Sequence, residues 1–177
     1  MKFTYDWFSS RIPQWQKHLS EFAGKNGVKA LELGGYEGRS CIWLCQNILT
    51  GRDASITCID HFKGEPYRNF LGNILEAGVQ GMINIVRGDT HKALSQLTEK
   101  FDIIYIDADH TAASVHFDSA TCFRLLNPGG VMIFDDYEWI HPEGKMPPKP
   151  AIDAFMQIYK DKIDVLHIGW QVFVKKK

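Results

Sequence analysis

The chain has no apolar run near the ~18 residues that a bilayer-spanning helix needs. Its first ten residues, Met1 to Ser10, lack the charged-then-apolar plan of a signal peptide. These absences lead us to expect a cytoplasmic protein with no membrane partner. An excess of one charge is also missing: 20 Lys and Arg stand against 21 Asp and Glu, for a net charge of −1. There is therefore no global electrostatic case for a nucleic-acid partner. The four cysteines, Cys41, Cys45, Cys58 and Cys122, form no CxxC pair and lie in apolar segments. Reduced core thiols fit that pattern better than a zinc site or a disulfide framework. Internal repeats and low-complexity linkers are absent too. What is left is 177 residues, 45% apolar and 23% charged, which fits one compact domain over residues 1–177.

What the sequence does contain is alternation. Strand-like apolar runs occur at Val28 to Leu33, Ser55 to Asp60, Ile83 to Arg87, Phe101 to Asp107 and Val131 to Asp135. Segments with helical spacing separate them, so the pattern predicts crossovers and a parallel sheet covered on both faces. A further helix around residues 12–23 presents Trp15, Leu19 and Phe22 on one stripe, making residues 1–26 a helical cap. After a proline-rich loop and a helix near Ala151 to Tyr159, the runs "KIDVLHI" and "WQVFVKK" are joined by too short a link for a crossover. They should pair antiparallel at one edge. The expected fold is a doubly wound α/β sheet of seven strands, mostly parallel, with an antiparallel C-terminal hairpin.

In such sheets ligands bind beyond the carboxyl ends of the strands. The stretch "LELGGYEGRSCIWL" puts Gly34, Gly35 and Gly38 at the end of the first strand. Their surplus suggests that something approaches the backbone closely, and the following helix offers N–H groups to an anion. The spacing is neither GxxxxGK[ST] nor GxGxxG, which disfavours a nucleoside triphosphate and an NAD-dependent oxidoreductase. It reads instead as E-x-G-x-x-x-G, with Glu32, Gly34 and Gly38. Asp60 follows 22 residues after the last glycine, placed to accept from ribose hydroxyls. A third acid, Asp89 in "RGDT", closes the third strand.

Four motifs in order, "LELGGYEGRS", "TCIDHFKG", "VRGDT" and "LLNPGGVMIFDDY", resemble those of the class I S-adenosylmethionine-dependent methyltransferases. Among these the chain resembles small O-methyltransferases of the catechol type and, through "IDADH" and "DDY", the antibiotic-sugar type. The resemblance implies S-adenosylmethionine as cofactor. Gly34 and Gly38 would face its methionine portion, Ser40 would hold its carboxylate, Asp60 the ribose and Asp89 the adenine amine. Phe62 is either a cover for the adenine or a core aromatic, and Glu32 either a ligand-side acid or a brace for the loop. Gly35, Tyr36, His61 and Asp107 complete the implied donor-site residues.

Asp107 ends the fourth strand, and Asp135 with Asp136 ends the fifth. Two such charges ~5 Å apart repel by ~3 kcal/mol at an effective dielectric of ~20. Either one takes up a proton or a cation relieves the cost. An all-oxygen cluster suits Mg²⁺, and metal-dependent relatives hold two aspartates and an aspartate or asparagine at the matching positions, so the resemblance implies Asp107, Asp135 and Asp136 as the candidate metal ligands. Candidates for the general base are Asp109, His110 and His141. His110 stands where catechol-type relatives commonly have a lysine.

The expected activity is Mg²⁺-assisted O-methylation of a hydroxylated small molecule. Alternatives are a non-catalytic S-adenosylmethionine-binding or regulatory module and a metal-independent N-methyltransferase. Acceptor selection falls to the N-terminal segment, to the loop over residues 137–150, or to a second subunit of a homodimer. The aromatic residues Tyr5, Trp7, Phe8 and Trp15 either cap the pocket or pack in the core.

Overall fold

A computed structural model of the chain describes residues 1–140 and 142–177. They form two compact units, Met1–Thr90 and His91–Lys177. The first contains α1 (Ile12–Leu19), β1 (Lys29–Leu33), α2 (Arg39–Asn47), β2 (Ser55–Asp60), α3 (Gly64–Glu76) and β3 (Ile83–Arg87). Helix α4 (Thr90–Gln96) leads into the second unit, which contains β4 (Phe101–Ile106), α5 (Ala112–Leu125), β5 (Leu126–Phe134), α6 (Lys149–Ile158), β6 (Ile163–Ile168) and β7 (Val172–Lys176). The strand order is β3-β2-β1-β4-β5-β7-β6 in a seven-stranded sheet.

In the first unit β1 runs parallel to β2, and β2 to β3. The register sets Glu32 beside Cys58 and Leu33 beside Ile59. Leu31, Leu33 and Ile56 are fully buried, as expected of strands covered on both faces. Pro13 occupies the first turn of α1, where its missing N–H costs nothing. From there the helical period carries Trp15 and Leu19 inward. The Trp15 indole meets Phe8 edge-on at 4.8 Å and Trp43 at 5.9 Å. Phe8 and Trp15 thus belong to the core, whereas Tyr5 and Trp7 are exposed.

In the second unit β4 is parallel to β5, while β7 is antiparallel to both β5 and β6. The C-terminal hairpin is therefore as its short link requires. Strand β5 starts at Leu126, five residues before the expected Val131, because Leu126 pairs with Phe101 ahead of a register shift. Phe155 of α6 packs on Phe134 at 5.1 Å and Phe123 at 5.5 Å. The Lys176 ammonium donates to the Phe123 and Leu126 carbonyls, both at 2.8 Å, satisfying acceptors that the end of α5 leaves open. All four cysteines are free and buried. No helix among the described residues is long and apolar enough to cross a membrane.

Trp15 has no exposed surface, so Trp15→Ala leaves a large cavity and should cost about 3 to 5 kcal/mol. Urea unfolding checks this as a lower midpoint at unchanged slope; a change below about 1 kcal/mol would contradict the packing described.

Candidate active site

The turn after β1 is built from backbone conformations that side chains rarely adopt. Gly34 has φ 89°, Gly38 φ 84°, and Tyr36 between them φ 43°. The Gly38 N–H donates to the Gly35 carbonyl at 2.7 Å and closes the turn, and Gly38 then serves as the N-cap of α2. A Cβ on Gly35 would lie 2.3 Å from Cys58 Sγ, and one on Gly38 would lie 2.9 Å from the Phe70 ring. At these two glycines, then, it is the protein's own side chains that approach the backbone. Internal packing thus accounts for the lack of a Cβ at two of the three glycines.

Asp60 closes the turn from the next strand. Its Oδ2 accepts the Tyr36 N–H at 3.0 Å and its Oδ1 the Phe62 N–H at 2.8 Å. Phe62 also has a left-handed φ of 46°, and its buried ring packs on Phe70 at 4.7 Å and Tyr67 at 5.0 Å. Of the two roles open to Phe62, core packing is the one its contacts carry. His61 and Asp89, at the exits of β2 and β3, are exposed.

Glu32 lies behind the turn with no exposure. It accepts from the Ser40 hydroxyl and, at 2.6 Å, from Cys41 Sγ. It therefore braces the start of α2, and the Ser40 hydroxyl is turned toward it. Burial pushes the Glu32 pKa up to about 7; the Cys41 and Ser40 hydrogen bonds pull against this and the Asp60 charge adds to it. One ligand atom each from Glu32, Cys41 and Cys58 falls within 4.8 Å of the others. Burial raises both thiol pKa values, as expected of sulfurs packed in the core.

A strap of N-terminal residues crosses this turn, a feature with no local signature in the sequence. Glu37, almost fully buried, accepts from Thr4 N–H at 2.6 Å, Thr4 Oγ1 at 2.7 Å and Asn69 Nδ2 at 2.8 Å. Asn73 Nδ2 donates to the Glu37 carbonyl at 2.9 Å and to the Lys2 carbonyl at 2.8 Å, and Asn73 Oδ1 accepts the Lys2 N–H at 2.6 Å. The Arg39 guanidinium lies 4.0 Å over the Phe3 ring. Tyr5 stacks on Trp7 at 4.9 Å, and Trp7 leans on Tyr36 at 5.3 Å.

In the second unit the acids at the ends of β4 and β5 do not form the expected trio. One ligand atom each from Asp107, His110 and Asp136 lies within 4.8 Å of the others. Asp135 is outside that set because its carboxylate is engaged elsewhere. Its Oδ2 meets the Tyr105 hydroxyl and accepts from Gln171 Nε2 at 2.9 Å, and its Oδ1 accepts the Asp136 N–H at 2.7 Å. The Tyr105 hydroxyl also contacts Asp107 Oδ2 at 2.9 Å. One phenolic proton cannot serve two carboxylates. Burial, supported by the Asp136 charge, raises the Asp135 pKa against its hydrogen bonds. A proton kept on Asp135 lets it donate to Tyr105, which then donates to Asp107.

Asp136, at φ 56°, turns its side chain the other way. His110 Nδ1 lies 2.7 Å from Asp136 Oδ2, and Trp170 Nε1 donates to Oδ1 at 3.2 Å. The Asp136 hydrogen bond raises the His110 pKa, and burial opposes it. Trp139 meets the imidazole at 5.2 Å. Asp109 is exposed, and its carboxylate accepts the Thr111 N–H at 2.9 Å. Burial raises the Asp109 pKa, but the Thr111 and Ser114 bonds outweigh it and hold the group below the usual range, which makes it a weak base. The candidate base His141 lies outside the described residues. Tyr105, Trp170 and Gln171 were not among the expected site residues; the polar Gln171 in the short hairpin link was the one available hint.

The profile of the family described as "Methyltransferase domain" matches residues 31–137. A putative caffeoyl-CoA O-methyltransferase of Arabidopsis thaliana is 34% identical over 117 residues, covering 64% of this chain and 48% of that protein. The chain spans about half the length of the curated relatives it matches. The crystal structure of an O-methyltransferase from Bacillus cereus in complex with SAH superposes with a TM-score of 0.76 at 18% identity, covering 99% of this chain and 84% of that one. The MycE methyltransferase of the mycinamycin biosynthetic pathway, in complex with Mg and SAH, gives 0.69 at 17%, covering 97% and 51%. At these identities the structural likeness shows the fold.

Glu32 yields a stability prediction whose sign follows from its pKa of about 7 against an ordinary 4.5. The folded state holds the proton more tightly, so the stabilisation is full below pH 4.5 and is lost as pH rises through 7. The difference is on the order of 3 kcal/mol. Glu32→Gln stays neutral and should flatten this part of the slope in urea unfolding between pH 5 and 8; an unchanged slope would refute the assignment.

Proposed function

The chain belongs to the methyltransferase-domain family, and on that premise we propose that it transfers a methyl group from S-adenosylmethionine to a hydroxyl of a small molecule. The turn Gly34 to Gly38 with Asp60 supports the donor reading. The first-turn N–H groups of α2, which have no intrahelical acceptor, would receive the donor carboxylate. Asp60, with both oxygens already bonded to N–H groups, keeps further lone pairs for ribose hydroxyls. Asp89 would reach the adenine amine.

The observation that carries the acceptor side is the 2.7 Å contact of His110 Nδ1 with Asp136 Oδ2. With Nδ1–H held by the carboxylate, Nε2 is left to take the proton of the acceptor hydroxyl as the oxygen attacks the methyl carbon. Acceptor selection is proposed to fall to the N-terminal segment, whose Tyr5 and Trp7 are exposed, to the loop 137–150, or to a second subunit.

A second reading rests on Asp107 in the same cluster. Two carboxylates and an imidazole within 4.8 Å fit a divalent cation, though the imidazole suits Mg²⁺ less well than the all-oxygen trio expected from the sequence. Asp107, Asp136 and His110 would hold it, with Asp135 bracing Asp136 and not ligating. When bound, such an ion supplies a positive charge that lowers the pKa of an acceptor hydroxyl. The two readings compete for His110: a nitrogen that ligates a cation can neither take the acceptor's proton nor carry one to Asp136.

Isothermal titration with S-adenosylhomocysteine should show binding at micromolar to millimolar concentration, and its absence removes the methyltransferase reading. If His110 is the base, turnover survives EDTA. The rate then rises with pH through an acidic limb above the ordinary histidine value, because the imidazolium must first lose its proton. Asp136→Asn should move that limb downward. Abolition of turnover by EDTA, with recovery on adding Mg²⁺, decides for the cation.

A further inference from the structure

We propose that Glu37 is a positioning residue for the donor: it fastens the segment Lys2–Thr4 across the turn Gly34 to Gly38, and donor affinity depends on that fastening. The inference rests on the reading of this turn as the donor site.

Glu37 is a carboxylate in the middle of a glycine turn, yet it is 2% exposed and faces the strap. Three donors converge on its two oxygens, from Thr4 N–H, Thr4 Oγ1 and Asn69 Nδ2, at 2.6 to 2.8 Å. Its carbonyl takes a fourth bond from Asn73, which clasps Lys2 through both of that residue's backbone groups. The strap thus joins α3, through Asn69 and Asn73, to the turn. The residue before Glu37 is Tyr36, whose left-handed φ is held from the other side by Asp60. Tyr36 is therefore fixed at its N–H by β2 and at its following residue by the strap.

Removing the Glu37 carboxylate strands three donors, two of them on the strap. The strap would come loose at Thr4, though Asn73 still holds Lys2, and one anchor of the turn would be lost, so the turn would sample conformations unable to bind the donor. Apparent affinity falls in proportion to the competent fraction, so a turn competent about a tenth of the time binds about tenfold more weakly.

The test compares the whole chain with Glu37→Ala, Thr4→Val and Thr4→Ser by hydrogen exchange and by titration with S-adenosylhomocysteine. Glu37→Ala should raise exchange in residues 2–7 and in the turn 34–38, and weaken binding about tenfold or more. Thr4→Val removes one bond, keeps the fold and should give a smaller loss, while Thr4→Ser, which retains the hydroxyl, should restore wild-type binding. In turnover the KM for the donor should rise with kcat little changed, a split that general destabilisation does not produce. Unchanged exchange in the turn of Glu37→Ala would overturn the inference. If the wild-type chain fails to bind S-adenosylhomocysteine, the donor reading falls, and the exchange result alone then decides whether Glu37 fastens the turn.

Discussion

Asp60 accepts one backbone N–H from each of two turns, and both donors, Tyr36 and Phe62, hold left-handed φ values. For residues with a Cβ that conformation costs about 1 to 2 kcal/mol each. A hydrogen bond to a charged group contributes about 1.5 to 3 kcal/mol, enough to offset it. The shape of the proposed donor turn depends on this carboxylate. Without it neither aromatic residue has a reason to stay in its strained well, and the Phe62 ring would lose its place against Phe70. The strain marks the turn as a site where structure has been spent on geometry.

The second unit uses the same device. Asp136 has a φ of 56°, and the acceptor for its N–H is the neighbouring Asp135. Asp135 is in turn positioned by Tyr105 and Gln171. This explains why adjacent acids at one strand end take opposite tasks: Asp135 faces the buried phenol and amide, and Asp136 faces His110 and Trp170. The crowding of negative charge at these strand ends has two forms of relief, a proton or a cation. Burial raises the Asp135 pKa, in the direction of the first, and His110 lies 2.7 Å from Asp136.

The strand and helix pattern was legible because both periodicities are strong and the strand runs are bounded by glycine and acids. Elements matched to within a few residues, with β5 the largest departure, since a register shift next to Phe101 leaves no periodic trace. Glu32, Asp60 and Asp136 were legible as important, but their partners were not. Glu32 pairs with Ser40 and Cys41 across a turn, and Glu37 with Thr4 at a separation of 33 residues. Hydrogen bonds at such separations are set by tertiary packing, which local pattern does not encode. The glycines are ambiguous for a related reason. A missing Cβ says that something lies close, and Cys58 Sγ fills that role at Gly35 as well as a ligand would.

A carboxylate at a strand end is therefore an ambiguous sign, and its backbone bonds help to resolve it. Asp109 accepts only locally and lies exposed, so it shapes the start of α5. Asp135 has both oxygens occupied within the protein, and little remains for a ligand. Asp60 spends one lone pair per oxygen on the turn, which fixes its orientation and leaves acceptors to spare. An imidazole and an indole hold Asp136. By this ordering Asp60 and Asp136 are the acids that the proposed function relies on. Each is oriented by rigid neighbours, and each lies at a strand end where a doubly wound sheet exposes its ligand-binding edge.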